Sequence, residues 1–75
     1  LRPAFIVVPL ELTSDLAISL LANTISLTPG TVSALLSEDR RSLTVHSLDT
    51  EDAAAAVAEI KHRYEAPLKA IFESC

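Results

Sequence analysis

The chain has 75 residues and a mass of 8.0 kDa, enough for one small domain with a thin hydrophobic core. Its formal net charge of −4 argues against a nucleic-acid or anionic-lipid surface, and its hydrophobic content of 49% favours a soluble globular fold over disorder. A single cysteine, Cys75, excludes an internal disulfide framework and a cysteine-based zinc site.

The beginning of the chain predicts a fragment of a longer protein. It starts at Leu1, contains no Met, and enters a strand-like segment with no signal-peptide pattern before it. The uncharged window 16–37 reaches transmembrane length, but it holds Ser, Thr and Asn and is broken by Pro29 and Gly30, so no membrane span is predicted. We therefore expect residues 1–75 to be a single soluble domain excised from a larger parent.

The first predicted element is a buried strand at 4–8. This short apolar run is rich in β-branched residues, and Pro3 and Pro9 bound it on both sides. The cluster Thr13-Ser14-Asp15 then predicts a helix start, since it offers a capping hydroxyl and a carboxylate at the positive end of the helix dipole.

A helix is predicted over residues 14–25, and it is hydrophobic nearly all round, which is unusual when one side must face water. Its apolar face is predicted to comprise Leu12, Leu16, Leu20 and Ile25, with Leu21 adjoining it. The excess of apolar residues favours a protein partner. We expect the partner interface at Leu16, Ile18, Leu21 and Ile25.

The strongest chain breaker is the run Thr28-Pro29-Gly30, which predicts a type II turn because proline presets one φ angle and glycine supplies a positive one. Segments 32–36 and 43–48 follow, separated by a charged tetrapeptide at 38–41. Alternation in the second segment is typical of a half-buried strand. The pair predicts an antiparallel hairpin with a loop of about four residues.

The last predicted element is a second helix, capped by Thr50 with Glu51 and Asp52 in its first turn. Its predicted core stripe comprises Ala53, Val57, Ile60, Tyr64, Leu68 and Ile71. Its solvent side is predicted to carry the i,i+4 pairs Glu59/Arg63, Lys61/Glu65, Glu65/Lys69 and Lys69/Glu73. Pro67 predicts a kink, or a break near Glu65 with a short continuation.

The order β-α-β-β-α predicts an α/β (α+β) fold, with a three-stranded mixed sheet and two helices on one face. A right-handed crossover that leaves room for the third strand places that strand in the centre, antiparallel to both neighbours. The other face of the sheet is then uncovered.

Candidate catalytic and metal-binding patterns are weak. His46 and Asp49 could form a dyad that orients a general base, but a strand-face histidine with a local partner is favoured, since so short a chain makes little pocket. The spacing of Glu59 and His62 matches half of a di-iron site whose other ligands this chain lacks. The sequence predicts no catalytic residue, no metal site and no cofactor.

One stretch carries a family resemblance. The run Leu20-Leu21-Ala22-Asn23-Thr24-Ile25-Ser26-Leu27-Thr28-Pro29-Gly30-Thr31 resembles a motif of the E subunit of the multisubunit Na⁺/H⁺ antiporters (Mrp, Mnh or Pha type), with Thr24 where Ser is usual. The resemblance continues through segments 37–39, 45–49 and 60–65. Leu36 departs from an acidic residue common in the family, and Arg40-Arg41 lacks the usual glycine.

The resemblance implies the C-terminal cytoplasmic domain of a small protein of the cell membrane, whose transmembrane helices precede residue 1. Such antiporter complexes exchange cytoplasmic Na⁺, in some members K⁺ or Li⁺, for external H⁺. The large subunits carry the ions, so the E subunit is expected to be an accessory or assembly component that binds its sister subunits rather than an enzyme. No transport residue is assigned to this chain, because translocation needs ionisable residues within the membrane.

Two alternatives remain at this stage. One is a free-standing acidic binding module that self-associates through the same apolar surfaces, giving a homo-oligomer of the isolated domain. The other is a small hydrolase that uses His46 and Asp49, for which we expect no activity.

Overall fold

The computed structural model describes residues 2–73, so Cys75 lies outside the described part of the chain. The elements are β1 (Ala4–Pro9), α1 (Asp15–Ser26), β2 (Thr31–Leu36), β3 (Ser42–Ser47), α2 (Ala53–Ile60), a π-helical turn (Lys61–Glu65) and α3 (Ala66–Phe72). None of the helices within residues 2–73 combines the length and apolar character that crossing a bilayer requires.

The described strands form one three-stranded sheet in the order β1-β3-β2. Both pairings, β1 with β3 and β2 with β3, are antiparallel. The α+β class and the central, antiparallel third strand are confirmed. The description of the sheet as mixed is wrong, because β1 and β2 run parallel to each other but share no ladder: β3 lies between them.

The hydrophobic core lies between one face of the sheet and the helices. Strand residues reach it at every second position, as the pleat requires. Its buried members are Ile6, Val8, Leu12, Ala17, Ile18, Leu21, Ile25, Leu43 and Val45. Burial of these side chains is the main source of the domain's stability.

Helix α1 begins as predicted, but it is rotated relative to the predicted apolar stripe. Ser14 is the N-cap, and its Oγ accepts a hydrogen bond of 3.3 Å from the backbone N–H of Ala17. Leu16 and Leu20, which the periodicity placed on one apolar face with Ile25, are 59% and 38% exposed, whereas Ile25 is buried. With apolar side chains at nearly every position, the periodicity did not determine which face packs on the sheet.

The turn after α1 is confirmed. Gly30 has a φ of +86°, and the backbone N–H of Thr31 donates to the carbonyl of Thr28 at 3.3 Å, which closes the turn. The Thr28 hydroxyl donates to the carbonyl of Ile25 at 2.6 Å and so satisfies an acceptor at the end of α1. Pro29 occupies the position whose φ its ring presets.

The hairpin of β2 and β3 is also confirmed, with a loop at residues 37–41. The Asp39 carboxylate accepts hydrogen bonds from the Ser37 hydroxyl at 2.6 Å and the Arg41 backbone N–H at 3.0 Å. Arg40 has a φ of 62°, a left-handed conformation that favours glycine. A bulge at Val32 shifts the register between Thr31 and Ser33.

The second helix begins later than predicted. Asp52, rather than Thr50, is the N-cap, and its carboxylate accepts a hydrogen bond of 3.2 Å from the backbone N–H of Ala55. Four residues of the predicted stripe pack against the core, namely Val57, Ile60, Tyr64 and Leu68. The outer two do not: Ala53 is exposed, and Ile71 is 71% exposed.

The interruption predicted from Pro67 is present as a π-helical turn. The backbone N–H of Ala66 donates to the carbonyl of Lys61, five residues earlier, in place of the usual four. Pro67 has no N–H to donate and lies in the first turn of α3, where that donor is not needed. The extra residue in the turn rotates α3 relative to α2, which carries Ile71 away from the core.

Candidate interaction surfaces

The sheet face turned away from the helices carries large, exposed apolar side chains. Phe5, Val7 and Leu35 are 70%, 58% and 66% exposed. The register places Phe5 opposite His46, and Val7 and Leu35 opposite Thr44 on either side of β3. We call Phe5, Val7 and Leu35 the open-face cluster. The uncovered sheet face predicted from the element order is confirmed for residues 2–73.

His46 belongs to this surface rather than to a catalytic dyad. Its ring stacks on Phe5, with centroids 4.4 Å apart and an interplanar angle of 22°. Stacking of this kind orders both rings. Asp49 has another partner: its Oδ1 accepts a hydrogen bond of 3.0 Å from the backbone N–H of Arg2. His46 and Asp49, considered as a dyad and disfavoured on the sequence, are thus engaged with different neighbours.

The partner interface predicted on α1 is wrong for most of its residues. Ile18, Leu21 and Ile25 are 2%, 0% and 2% exposed and form part of the core, because this side of α1 faces the sheet. A partner cannot reach them while the domain is folded. Leu16 lies on the opposite side of the helix and is 59% exposed, so an interface role for it stays a prediction.

Glu65 is a buried carboxylate that joins the C-terminal helix to the loop before α1. Its side chain is 2% exposed, although the i,i+4 pattern placed it on the solvent side. Oε2 accepts hydrogen bonds from the backbone N–H groups of Glu11 at 2.7 Å and Leu12 at 3.2 Å. Oε1 accepts one from Lys61 Nζ at 2.7 Å. Both oxygens of this buried carboxylate therefore meet donors.

Lys61, whose side chain is 26% exposed, pairs with the buried Glu65 and links it to strand β1. Its Nζ also donates to the carbonyl of Pro9 at 2.6 Å and lies 3.4 Å from Glu11 Oε2. Burial works against the charged ammonium, but hydrogen bonds to the carboxylates of Glu65 and Glu11, together with their charges, outweigh it and raise the pKa of Lys61. The hydrogen bond from Lys69, followed by the charges of Lys69 and Lys61, lowers the pKa of Glu11.

A second carboxylate, Glu73, holds the start of α1. Its Oε2 accepts hydrogen bonds from the backbone N–H groups of Thr13 at 2.8 Å and Ser14 at 3.0 Å, and its Oε1 accepts one from the Thr13 hydroxyl at 3.0 Å. The N–H of Ser14 is the largest cause of a lowered pKa for Glu73. Glu65 and Glu73 together fix residues 11–14 against the C-terminal helix.

Sequence reasoning placed Glu65 and Glu73 in surface ion pairs and missed this function. Lys69, expected to pair with Glu65 or Glu73, instead contacts Glu11 Oε1 at 3.2 Å. The pair of Glu59 and Arg63, at 3.3 Å, does lie on the surface as predicted. No local signal marks Glu65 for burial, because its backbone donors, Glu11 and Leu12, lie 54 and 53 positions earlier in the chain.

A cleft of about 500 Å³ opens between the turn after α1 and helix α2. Its floor is apolar and formed by Ile6, Ile25, Val45, Ile60 and Tyr64. Its rim carries four carboxylates, from Asp49, Glu51, Asp52 and Glu59. Among the described residues that line it there is no lysine or arginine, so the cleft combines an apolar floor with negative charge.

The spacing of Glu59 and His62, which matches half of a di-iron site, was not expected to bind a metal. Glu59 Oε1 accepts a hydrogen bond from Arg63, and His62 is exposed on the same helical segment. Within residues 2–73, no group of three or more His, Cys, Asp or Glu side chains is arranged to hold a metal ion.

The family model and the relatives that this chain matches are all Na⁺/H⁺ antiporter subunits. The family model described as "MNHE: Na+/H+ ion antiporter subunit" matches residues 1–71. The chain is 37% identical over 71 residues to the Na(+)/H(+) antiporter E subunit of Bacillus subtilis, covering 95% of this chain and 45% of that protein. It is 36% identical over 65 residues to the E subunit of Alkalihalophilus pseudofirmus, covering 87% of this chain and 41% of that protein.

A third relative is the antiporter E1 subunit of Staphylococcus haemolyticus, 38% identical over 72 residues, with 96% of this chain and 45% of that protein covered. The chain thus spans a little under half the length of the curated relatives it matches. Because the family model covers nearly all of its residues, this chain belongs to the family of Na⁺/H⁺ antiporter E subunits.

Proposed function

We propose that this domain is an accessory, assembly-promoting part of a multisubunit antiporter that exchanges Na⁺ for H⁺. It acts on the cytoplasmic side of the cell membrane by binding other subunits, not by carrying ions. The observation that carries the proposal is the open-face cluster. Family membership supports the setting, and the exposed apolar side chains support the mode of action.

The open-face cluster has the properties of a contact surface. Phe5 and Val7 lie on β1 and Leu35 lies on β2, so the three apolar side chains share one face of the sheet on either side of the central strand. Full burial of such side chains stabilises by about 1.5–3 kcal/mol each. Since each is more than half exposed, a subunit seated on this face would gain a large part of that amount at all three positions.

The test changes the open-face cluster in the complete antiporter complex, with the protein at its full length. Phe5→Thr combined with Leu35→Thr removes apolar surface and keeps residues that favour strands. We expect at least a tenfold loss of the altered protein from complexes purified through a tag on another subunit. Leu27→Thr is the matched control, since Leu27 is 85% exposed and lies outside the sheet.

Two further measurements separate the alternatives. The circular dichroism of the double variant of the 75-residue chain should stay that of the folded domain, so that lost assembly cannot be ascribed to unfolding. Undiminished recovery of the double variant in the complex would contradict the proposal. Sedimentation of the unaltered chain as a dimer that the same substitutions dissociate would instead favour the self-associating module.

A further inference from the structure

The acidic cleft is a second surface with a different chemistry from the open face. Its apolar floor is continuous with the core, because Ile6, Ile25 and Val45 are buried core residues whose outer edges line it. Ile60 and Tyr64 of the C-terminal helical segment are half-buried and continue the floor along one side. A volume of about 500 Å³ accommodates one or two apolar side chains of a partner, not a whole helix.

The charges around this floor are of one sign. Asp49, Glu51, Asp52 and Glu59 all lie on the rim, and three of them already accept hydrogen bonds. These contacts are backbone N–H groups for Asp49 and Asp52 and the Arg63 guanidinium for Glu59. The Arg63 guanidinium offsets the charge of Glu59. A backbone N–H brings no net charge, so the carboxylates of Asp49, Glu51 and Asp52 keep the field over the cleft negative, and this field attracts cations.

From this pairing of an apolar floor with an acidic rim we infer that the cleft binds a short basic segment of a partner protein, with one or two apolar side chains inserted and Lys or Arg on either side. This inference rests on the proposed function, which supplies membrane subunits as partners. The cytoplasmic ends of transmembrane helices fit this chemistry, because Lys and Arg are enriched there beside apolar residues. The cleft therefore binds such a juxtamembrane segment, while the open face binds elsewhere on the complex.

The electrostatic part of the contact determines its selectivity. A basic segment meets carboxylates along the length of α2, since Glu51 precedes this helix and Glu59 lies near its end. An acidic segment of the same shape would be repelled. Because these carboxylates are on an exposed rim, added salt weakens the contact.

The experiment places a photo-reactive amino acid at position Ala55 of the full-length protein in the assembled complex. Ala55 is exposed and lines the cleft, so the group reaches an occupant directly. The cross-linked segment is identified by mass spectrometry. We expect a segment with Lys or Arg beside apolar residues, adjoining a transmembrane helix. In a parallel experiment, the photo-reactive amino acid at position Val7 identifies what contacts the open face.

Charge reversal supplies the matched variants. Glu51→Lys should lower the cross-linking yield at Ala55 at least fivefold, while Glu38→Lys makes the same change in net charge at the hairpin loop and should leave the yield unchanged. Both positions are exposed and outside the core, so neither substitution threatens the fold. Raising the ionic strength should lower the yield for the unaltered protein.

The outcomes separate the inference from the proposed function. Cross-links at Val7 but none at Ala55, or a cross-linked segment that is acidic or uncharged, would overturn the inference and leave the proposed function standing. A yield insensitive to Glu51→Lys would also overturn it. Absence of cross-links at both positions would overturn both proposals, since neither surface would then touch another subunit.

Discussion

The Glu65 carboxylate accepts a hydrogen bond of 2.7 Å from the backbone N–H of Glu11, which lies 54 positions earlier in the chain. This contact ties the C-terminal helical segment to the loop between β1 and α1. The carboxylate that makes it is buried, and Lys61 neutralises it. The arrangement is costly to disturb, because removing the carboxylate leaves the backbone N–H groups of Glu11 and Leu12 without their acceptor.

We expect Glu65→Ala to destabilise the domain by about 2 kcal/mol or more, because two backbone N–H groups lose their acceptor, at about 1–3 kcal/mol for each buried donor left unsatisfied. A domain of this size has only about 4–11 kcal/mol of stability in total. The measurement is the urea midpoint followed by circular dichroism. Glu65→Gln keeps an acceptor for the backbone N–H groups and should cost less.

The control for this prediction is Glu59→Ala, which breaks the i,i+4 pair with Arg63 on the same helical segment. Glu59 and Arg63 are 62% and 65% exposed, so this pair is worth about 0–1 kcal/mol. Similar midpoints for the two alanine variants would show that the burial of Glu65 contributes nothing.

Stability should fall in acid because of Glu73. Hydrogen bonds from the N–H groups of Ser14 and Thr13 hold its pKa below the ordinary 4.5, so the folded domain binds fewer protons than the unfolded chain. The stability that Glu73 contributes is fully present when the pH is above its pKa in the unfolded chain. It is lost as the pH falls through its pKa in the folded domain. Glu11, whose pKa Lys69 lowers, adds to the same trend.

The check is a series of urea midpoints from about pH 6 down to about pH 3. Glu73→Gln should be less stable than the unaltered chain near pH 6, and its midpoint should change less steeply in acid. Thr13→Val removes only the hydroxyl donor and leaves the backbone donors. The change of its urea midpoint with pH should therefore be intermediate between that of the unaltered chain and that of Glu73→Gln. Parallel slopes for all three chains would contradict the assignment.

The orientation of α1 predicts opposite results for two neighbouring substitutions. Ile18→Asp buries a charge in the core and should cost about 4 kcal/mol or more, enough to unfold much of the population. Leu16→Asp places a carboxylate on the exposed side of the first helical turn, where the dipole favours it, and should leave the domain folded. Circular dichroism distinguishes these outcomes. A folded Ile18→Asp variant would restore the partner interface predicted there.

Arg40 offers a stabilising substitution. Its φ of 62° costs a residue with a side chain about 1–2 kcal/mol, a strain that glycine avoids. Arg40→Gly also loses the ion pair with Asp15, at 2.8 Å, but the partners are 48% and 82% exposed, so little is lost. We expect a gain of about 0.5–1 kcal/mol in the free energy of unfolding.

The matched control is Arg41→Gly, at a neighbouring position without a positive φ. It should lower stability by about 0.5–1 kcal/mol, because glycine loses more backbone entropy on folding. Both variants are compared by their urea midpoints. A loss for Arg40→Gly as large as for Arg41→Gly would show that the loop relieves the strain at residue 40 in another way.

Local signals in the sequence predicted most element boundaries to within one or two residues. The β-branched run after Pro3 predicts β1, and the hydroxyl of Ser14 predicts the start of α1, because each acts over a few residues. The same is true of the turn at Pro29 and Gly30. Such signals depend on backbone preferences that the chain carries wherever it folds.

Features that depend on distant packing were not predictable in this way. Helix α1 is apolar on most of its surface, so only the position of the sheet selects Ile18 over Leu16 for burial. The interior position of Glu65 depends on backbone donors at Glu11 and Leu12, whose approach no local pattern encodes. The uncovered sheet face followed from element order, but the acidic cleft required the placement of α2 beside the turn at 28–30.

The central position of β3 also fixes an order of events during folding. The hairpin of β2 and β3 closes a short loop and can form soon after both strands are available, whereas β1 must wait for the third strand before it has any partner. During synthesis the apolar segment Ala4–Pro9 therefore remains unpaired until residues 42–47 have left the ribosome. We expect substitutions in the hairpin to slow refolding and substitutions in β1 mainly to speed unfolding. We therefore expect β1 to join the sheet after the hairpin that follows it in the chain.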